Sequence, residues 1–528
     1  MFDTKQLERG ADIRGHYPGE VNEELAWFIG RALVEFLRRQ KKHDQPRVLV
    51  ARDGRVSSFA LYSAMCEGIS AKGGTPVPVG LCSTDGLTWA TGMNFADAVA
   101  GAMITASHNP KSDNGIKMIY AAAKDHVETI SIRKYLANLV QEEWKNTQVE
   151  AAKAGHLAFA PSGALDVVVK FVDWACDPRF APNLGQFTQK VVIDPGNGMG
   201  TLYLKRLQQH VSAARVDSIF DQVDGSFPNR PSNPGLPGAM KELSKQVRKR
   251  KAAFGAAFDG DADRLFVVDE NGEFVPGDFL LAALARRFLA SRQADAEQQT
   301  PSIVFAATCS WTVVQTIRAN HGRAVISKVG QDSIRASMLS QRAIFGGESS
   351  AHFNYRDSFY QDAGLITLMV FWQELYERNM AASDLIKELD PWARSEEVNI
   401  RIESNDWRAI SEKAMQALQE QYQAQATEQE CYVSTLDGMS AYFPHDANVT
   451  TVDDLFKPIP ESNGTACEVH PAYTPDWWFN VRRSNNEPLL RLNVECRKRK
   501  DLDKRLKKLI KEVIDLCESA GDCKARVD

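Results

Sequence analysis

The chain has 528 residues, 44% of them hydrophobic and 25% charged, which predicts a globular protein of several domains and excludes a mainly disordered, collagen-like or coiled-coil chain. Its 63 basic and 68 acidic side chains give a formal net charge of -5, so composition offers no global electrostatic case for nucleic acid or an anionic membrane. The N-terminus, Met1-Phe2-Asp3-Thr4-Lys5, opens onto charged residues, and no apolar run of about 18 residues follows. Nine cysteines without a C-x-x-C pair suit buried or free thiols in a reducing compartment, so the expectation is a cytoplasmic protein.

Apolar residues at Leu25, Phe28, Ile29, Ala32, Leu33, Phe36 and Leu37 recur at the helical period and predict an amphipathic helix over Glu23 to Gln40. The strand-like run Arg47 to Ala51 follows, then a helix over Ser57 to Gly73. The same alternation returns at Lys190 to Asp194 before a glycine-rich loop, and at Pro301 to Phe305 before a helix over Trp311 to Asn320. Three such starts predict three α/β units. Between them, Trp144 to Pro161 and Ala290 to Pro301 read as connecting segments. After about Pro391 a strand at Glu397 to Ile402, a helix from Asp406 and a closing helix over Asp501 to Ser519 predict an α+β quarter. That last helix places Leu502, Leu506, Leu509, Ile510, Val513, Ile514 and Cys517 on one stripe, and its basic residues read as a solvated face rather than a nucleic-acid stripe.

Four constellations can carry chemistry. In Thr105-Ala106-Ser107-His108-Asn109-Pro110 a serine in a tight loop at a strand end is expected to expose its hydroxyl among small neighbours, a candidate nucleophile; the plain alternative is a turn supplying its own hydrogen bonds before a proline. In Asp259-Gly260-Asp261-Ala262-Asp263-Arg264, extended backbone would point three carboxylates to one side, where a hard divalent cation can neutralise them. An EF-hand is the competing reading, with Glu270 at its twelfth position, but Arg264 replaces the glycine which that loop requires. In Gly346-Gly347-Glu348-Ser349-Ser350-Ala351-His352, alternating carboxylate, hydroxyl and imidazole offer acceptors and donors to vicinal sugar hydroxyls, unless the loop only caps a helix. Finally, Arg482-Arg483-Ser484-Asn485-Asn486-Glu487-Pro488, with Arg491 beyond, forms either a phosphate cradle or a basic turn between strands.

Taken in order, these segments resemble the signature of the α-D-phosphohexomutase superfamily: a phosphoserine loop, a metal loop, a sugar loop and a C-terminal phosphate loop. The resemblance extends to Asp12-Ile13-Arg14-Gly15, Arg52-Asp53-Gly54-Arg55, Asn114-Gly115-Ile116-Lys117, Asp194 to Gly198 and Asp224 to Asn229, so it spans nearly the whole chain. Within the superfamily it looks most like bacterial-type phosphomannomutases. It implies an α/β protein of four domains around a central cleft, three related α/β mixed-sheet domains followed by an α+β C-terminal domain, with boundaries expected at 1–160, 161–300, 301–392 and 393–528.

The resemblance further implies a phosphate carried on Ser107 and one Mg²⁺ held by that group with Asp259, Asp261 and Asp263. Phosphate would pass to a hexose monophosphate, giving a bound hexose 1,6-bisphosphate, which also serves as activator. Arg14, His108 and Lys117 match positions near the reacting phosphate. Lys328, Glu348, Ser350, His352 and Arg264 match substrate positions, and Arg482, Ser484, Asn485 and Asn486 match the grip on the non-reacting phosphate. The implied activity is mannose 1-phosphate to mannose 6-phosphate interconversion; the alternatives are a phosphoglucomutase and a non-catalytic sugar-phosphate-binding member. Expected partners are small hexose phosphates, with no nucleic acid and no membrane, in a monomer or homodimer. Departures from the pattern are Gln331 where a histidine is common, Thr308 for lysine or arginine, Asn486 for threonine and Ala11 for tyrosine.

Overall fold

A computed structural model of the chain describes residues 8–9, 12–146, 166–292, 300–484 and 487–528. They form two compact units, Met1–Gly277 with Ser350–Leu385, and Asp278–Ser349 with Ile386–Asp528. Most of both segments predicted as connectors, with Ala11, Asn485 and Asn486, lies outside the described residues. The helices Ala137–Asn146 and Gly277–Arg292 do run into the starts of the two connectors.

In the first unit one sheet runs in the order Glu8–Arg9, Asp12–His16, Asp113–Ala121, Ala100–Ile104, Arg47–Arg52, Thr75–Leu81, and Val127–Thr129 adds to Asp113–Ala121. The half formed by Ala100–Ile104, Arg47–Arg52 and the edge strand Thr75–Leu81 is parallel and the other half antiparallel, a mixed sheet. The helix Glu23–Lys41 begins where the Asn22 side chain accepts the Leu25 N–H, has Glu23 and Glu24 in its first turn and ends on Arg38, Arg39 and Lys41, all in keeping with its dipole. The apolar stripe read from the sequence is fully buried in the core beside that sheet, each such side chain contributing about 1.5–3 kcal/mol.

The second sheet of this unit runs Phe274–Val275, Leu265–Asp269, Phe254–Phe258, Val191–Asp194, Val216–Ser218, with the last three strands parallel. A hairpin, Phe353–Tyr355 with Gln361–Asp362, leads into the buried helix Gly364–Arg378.

In the second unit Phe345–Gly347, Ser302–Ala306 and Arg323–Ser327 are parallel neighbours. Ala466–Val469 joins Arg323–Ser327 antiparallel and is followed by Phe456–Pro458, so a hairpin from far along the chain completes the third sheet. The remaining sheet is antiparallel, in the order Tyr432–Ser434, Met439–Phe443, Trp477–Arg483, Leu489–Cys496, Val398–Glu403, Lys524–Val527. Helices Trp407–Thr427 and Arg499–Ala520 share its core, the latter burying Leu502, Leu509, Val513 and Cys517 as its stripe predicted. No helix among the described residues is long and apolar enough to cross a membrane.

Loops at the carboxyl ends of parallel strands collect polar side chains in open α/β sheets. Thr105–Pro110 follows Ala100–Ile104, Asp259–Arg264 follows Phe254–Phe258, Lys328 follows Arg323–Ser327, and Glu348 follows Phe345–Gly347.

Candidate active site

The serine loop is built before its chemistry begins. Ser107 stands in the left-handed region at φ 50°, and its N–H donates to Thr105 Oγ1 at 2.8 Å. Thr105 Oγ1 in turn donates to Asp53 Oδ2 at 2.8 Å. Arg55, itself paired with Asp53 at 3.1 Å, donates to the carbonyls of Ser107 and Asn109 at 2.8 Å, Pro110 at 2.6 Å and Asp113 at 3.1 Å. One buried guanidinium thereby ties together four carbonyls from Ser107 to Asp113. The sequence reading expected an exposed Ser107 hydroxyl; the residue is 1% exposed, because Oγ is drawn inward to Asp259 Oδ2, to which it donates at 3.3 Å, and lies 3.2 Å from His108 Nδ1.

The three carboxylates do converge: oxygens of Asp259, Asp261 and Asp263, all buried, lie within 4.8 Å of one another. They do so on a turn with Ala262 at φ 65°, not on the extended backbone expected. Antiparallel strands flank this loop, and Glu270 accepts from the N–H and hydroxyl of Ser383, so the EF-hand reading falls. Gly260 allows the loop to approach the serine turn, since a Cβ there would stand 2.7 Å from the Ser107 carbonyl oxygen. Gly115 is likewise required, because its Cβ would meet the Ile13 carbonyl oxygen at 2.1 Å.

Fixed cations partly compensate this charge. Lys117 Nζ donates to Asp261 at 2.9 Å and to Asp263 at 2.7 Å, and Arg264 Nε to Asp259 at 2.9 Å. Burial works against the Lys117 ammonium, but Asp261 and Asp263 outweigh it and hold its pKa above the ordinary value. Arg264 is held up in the same way, burial being overcome by Asp259 and Asp263. The acids divide: burial would raise Asp261, yet Lys117 and Thr84, whose hydroxyl donates at 2.6 Å, keep it low, while burial and then the Asp261 charge push Asp263 up. Asp261 Oδ1 and Asp263 Oδ1 are buried and accept no hydrogen bond among the described residues. Hard, converging oxygens of this kind fit one divalent cation of the Mg²⁺ type.

Burial, then Arg264 and Arg14, depress the His108 pKa, so this imidazole is neutral at ordinary pH. Arg14 donates to Asp12 at 3.1 Å and Asn109 at 3.4 Å. Arg264 Nη1 reaches the Ser350 carbonyl at 3.5 Å, and His352 Nδ1 lies 2.6 Å from Asp362. Asp263, His352 and Asp362 also bring ligand atoms within 4.8 Å. Thus Arg14, Ser107, His108, Lys117, the three aspartates, Arg264, Ser350 and His352 all belong to the first unit.

Lys328, Glu348, Arg482 and Ser484 belong to the second. The alternation expected through Glu348, Ser350 and His352 does not hold, because the chain turns after Phe345–Gly347 and Ala351 sits at φ 68°. Glu348 Oε1 accepts the Gly330 N–H at 2.5 Å, and Asp437 accepts the Val329 N–H at 3.2 Å. Burial raises the Asp437 pKa, Arg482 and Lys328 oppose that rise, and Glu348 adds to it, which puts these four charges in one neighbourhood. Sequence reasoning missed Asp437, Thr84 and Asp362 altogether. It quoted Asp53 and Arg55 only as part of a resemblance. Thr84 meets Asp261 across 177 residues of chain, so no local pattern could mark it.

Comparison with known proteins identifies the family. Sequence models of phosphoglucomutase/phosphomannomutase alpha/beta/alpha domains I, II and III match residues 5–138, 178–272 and 276–391. A phosphomannomutase of Escherichia coli is 30% identical over 493 residues, 92% of this chain and 94% of the relative. Phosphohexose mutases of Xanthomonas campestris pv. campestris are 30% identical over 490 residues, again 92% and 94%. Among solved structures, a phosphoglucomutase/phosphomannomutase family protein from Burkholderia thailandensis has a TM-score of 0.71 at 23% identity, covering 97% of this chain and 98% of its own. Paramecium pp63/parafusin has a TM-score of 0.69 at 14% identity, covering 99% and 97%. With the match in sequence running through all three α/β domains and beyond, the chain belongs to the phosphoglucomutase/phosphomannomutase family.

Proposed function

We propose that the protein interconverts hexose 1-phosphate and hexose 6-phosphate, with mannose phosphates as its substrates, through a phosphate carried on Ser107. It is an isomerase that works by phosphoryl transfer, as its family membership indicates. The observation that carries the residue assignment is the Ser107 hydroxyl 3.3 Å from Asp259, beside two further buried carboxylates with unpartnered oxygens. A phosphate on Ser107 would bring more negative charge to that place, which the fixed cations and a divalent ion together can offset.

Asp259, Asp261 and Asp263 would hold one Mg²⁺. When bound, the ion supplies positive charge against the oxygens of the transferring group. The chain's own residues do the rest. A sugar hydroxyl attacks the phosphorus of phosphoserine, the bond from phosphorus to Ser107 Oγ breaks, and Oγ recovers as the hydroxyl. The hexose 1,6-bisphosphate then returns its other phosphate to Ser107 by the same exchange, so serine phosphate is regenerated and the net change is the position of one phosphate. His108 Nδ1, 3.2 Å from Oγ, is within hydrogen-bond reach of the oxygen that must regain the proton. Arg14 and Lys117 stabilise charge on the reacting phosphate. Arg482, Ser484, Asn485 and Asn486 grip the other phosphate. Arg264, Lys328, Glu348, Ser350 and His352 recognise the sugar. Mannose preference is supported by the relatives named phosphomannomutase.

The test is turnover of mannose 1-phosphate to mannose 6-phosphate with Mg²⁺ and glucose 1,6-bisphosphate, against glucose 1-phosphate in parallel. Higher kcat/KM for mannose is expected; higher kcat/KM for glucose would reassign the substrate, and no turnover of either would refute the reading.

A further inference from the structure

The two oxygens of the Asp261 carboxylate stand in different surroundings. Oδ2 accepts the Thr84 hydroxyl at 2.6 Å and the Lys117 ammonium at 2.9 Å, while Oδ1 is buried and accepts nothing among the described residues. The Thr84 N–H also donates to the Asp261 main-chain oxygen at 3.0 Å, so one residue grips both the backbone and the side chain of this acid. Water is kept from the contact, with Asp261 0% and Thr84 9% exposed. Thr84 opens the helix Thr84–Gly92, and that first turn is itself pinned. Ser83 accepts the Gly86 N–H at 3.2 Å, and Asp85 accepts the same N–H at 2.9 Å and the Tyr203 hydroxyl at 2.5 Å.

We infer that Thr84 is a positioning residue of the cation site, which fixes the rotation of the Asp261 carboxylate so that Oδ1 is the oxygen left for the divalent ion. The inference deepens the proposed function, on whose Mg²⁺ site it rests. A carboxylate held by one mobile donor can turn about its Cβ–Cγ bond and exchange its oxygens. Lys117 is such a donor, an ammonium on a flexible stem that is shared with Asp263 at 2.7 Å. A second donor to Oδ2, carried on a pinned helix start, removes the freedom to turn. The hydroxyl is uncharged, so it orients Asp261 without placing another positive charge beside the ion. Partners that orient ligating carboxylates in this way are worth about 10–100-fold in metal affinity.

The experiment measures Mn²⁺ binding by electron paramagnetic resonance, and urea unfolding without metal, for wild type, Thr84→Val and Thr84→Ser. Steady-state turnover of mannose 1-phosphate against Mg²⁺ concentration runs alongside. Thr84→Val keeps the shape and the main-chain N–H but loses the hydroxyl, and is expected to weaken Mn²⁺ binding about tenfold. The Mg²⁺ concentration for half-maximal turnover should rise by a similar factor, with KM for mannose 1-phosphate within about twofold of wild type. Thr84→Ser, which keeps the hydroxyl, is expected to bind Mn²⁺ within about threefold of wild type. Unchanged Mn²⁺ affinity in Thr84→Val overturns the inference even if stability falls, since a merely structural hydroxyl acts on stability alone. Equal losses of affinity in Thr84→Val and Thr84→Ser overturn it as well. Should Thr84→Val fail to fold, Thr84→Ala, which also lacks the hydroxyl, decides in its place. Wild type that binds Mn²⁺ but turns over neither sugar phosphate refutes the proposed function separately, and the Mn²⁺ comparison still decides the role of Thr84.

Discussion

Arg55 Nη2 donates to the main-chain oxygen of Ser107 at 2.8 Å, while the same side chain is salt-bridged to Asp53 and only 1% exposed. The serine turn therefore depends on a side chain that touches none of the reacting atoms. Arg55→Met would leave the buried Asp53 carboxylate without its counter-charge and the buried Ser107 carbonyl without its donor, with an expected stability loss of about 3–5 kcal/mol. Urea unfolding measures it. Arg55→Lys should recover little of the loss, since an ammonium cannot span both groups. A loss below about 1 kcal/mol would contradict the assignment.

Lys117 is the internal counter-charge of Asp261 and Asp263. Lys117→Met leaves both carboxylates unpaired, so the thermal midpoint is expected to fall in chelator and to recover largely on adding Mg²⁺, whereas wild type should respond much less. An equal deficit with and without Mg²⁺ would separate Lys117 from the cation site.

Asp85 offers a pH test away from the reacting groups. Its Oδ1 accepts from the Tyr203 hydroxyl at 2.5 Å, and burial raises its pKa from the ordinary 3.8 to about 7. A carboxyl with a raised folded pKa favours the protonated form. Its contribution is fully present below pH ~4, declines as pH rises through about 7 and is constant above that, a difference on the order of 4 kcal/mol. Asp85→Asn should flatten this part of the stability profile between pH 4 and 8, measured by urea midpoints. Parallel profiles for variant and wild type would contradict it.

Elements with strong periodicity were legible in the sequence. The stripe from Leu25 to Leu37 and that from Leu502 to Cys517 became buried helix faces because one amphipathic face has only one way to leave water. The three aspartates were legible as a cluster, but the reason for their convergence was not: a turn at Ala262, with Gly260 permitting close approach to Ser107, does what extended backbone was expected to do. The buried state of the Ser107 hydroxyl depends on Asp259, 152 residues away. The Phe456–Pro458 and Ala466–Val469 hairpin was invisible for a similar reason, since its partner strand lies more than a hundred residues earlier. Local pattern records burial and turn chemistry; it does not record which distant segment supplies the partner.

The most direct measurement is the mass of the intact protein, with peptide mapping, before and after incubation with glucose 1,6-bisphosphate and Mg²⁺, in wild type and Ser107→Ala. One added phosphate on Ser107, absent from the variant and discharged by mannose 1-phosphate, is the expected result. Failure of Ser107 to take up phosphate while sugar phosphate and Mg²⁺ still bind would contradict the central claim and leave a binding protein in place of a mutase.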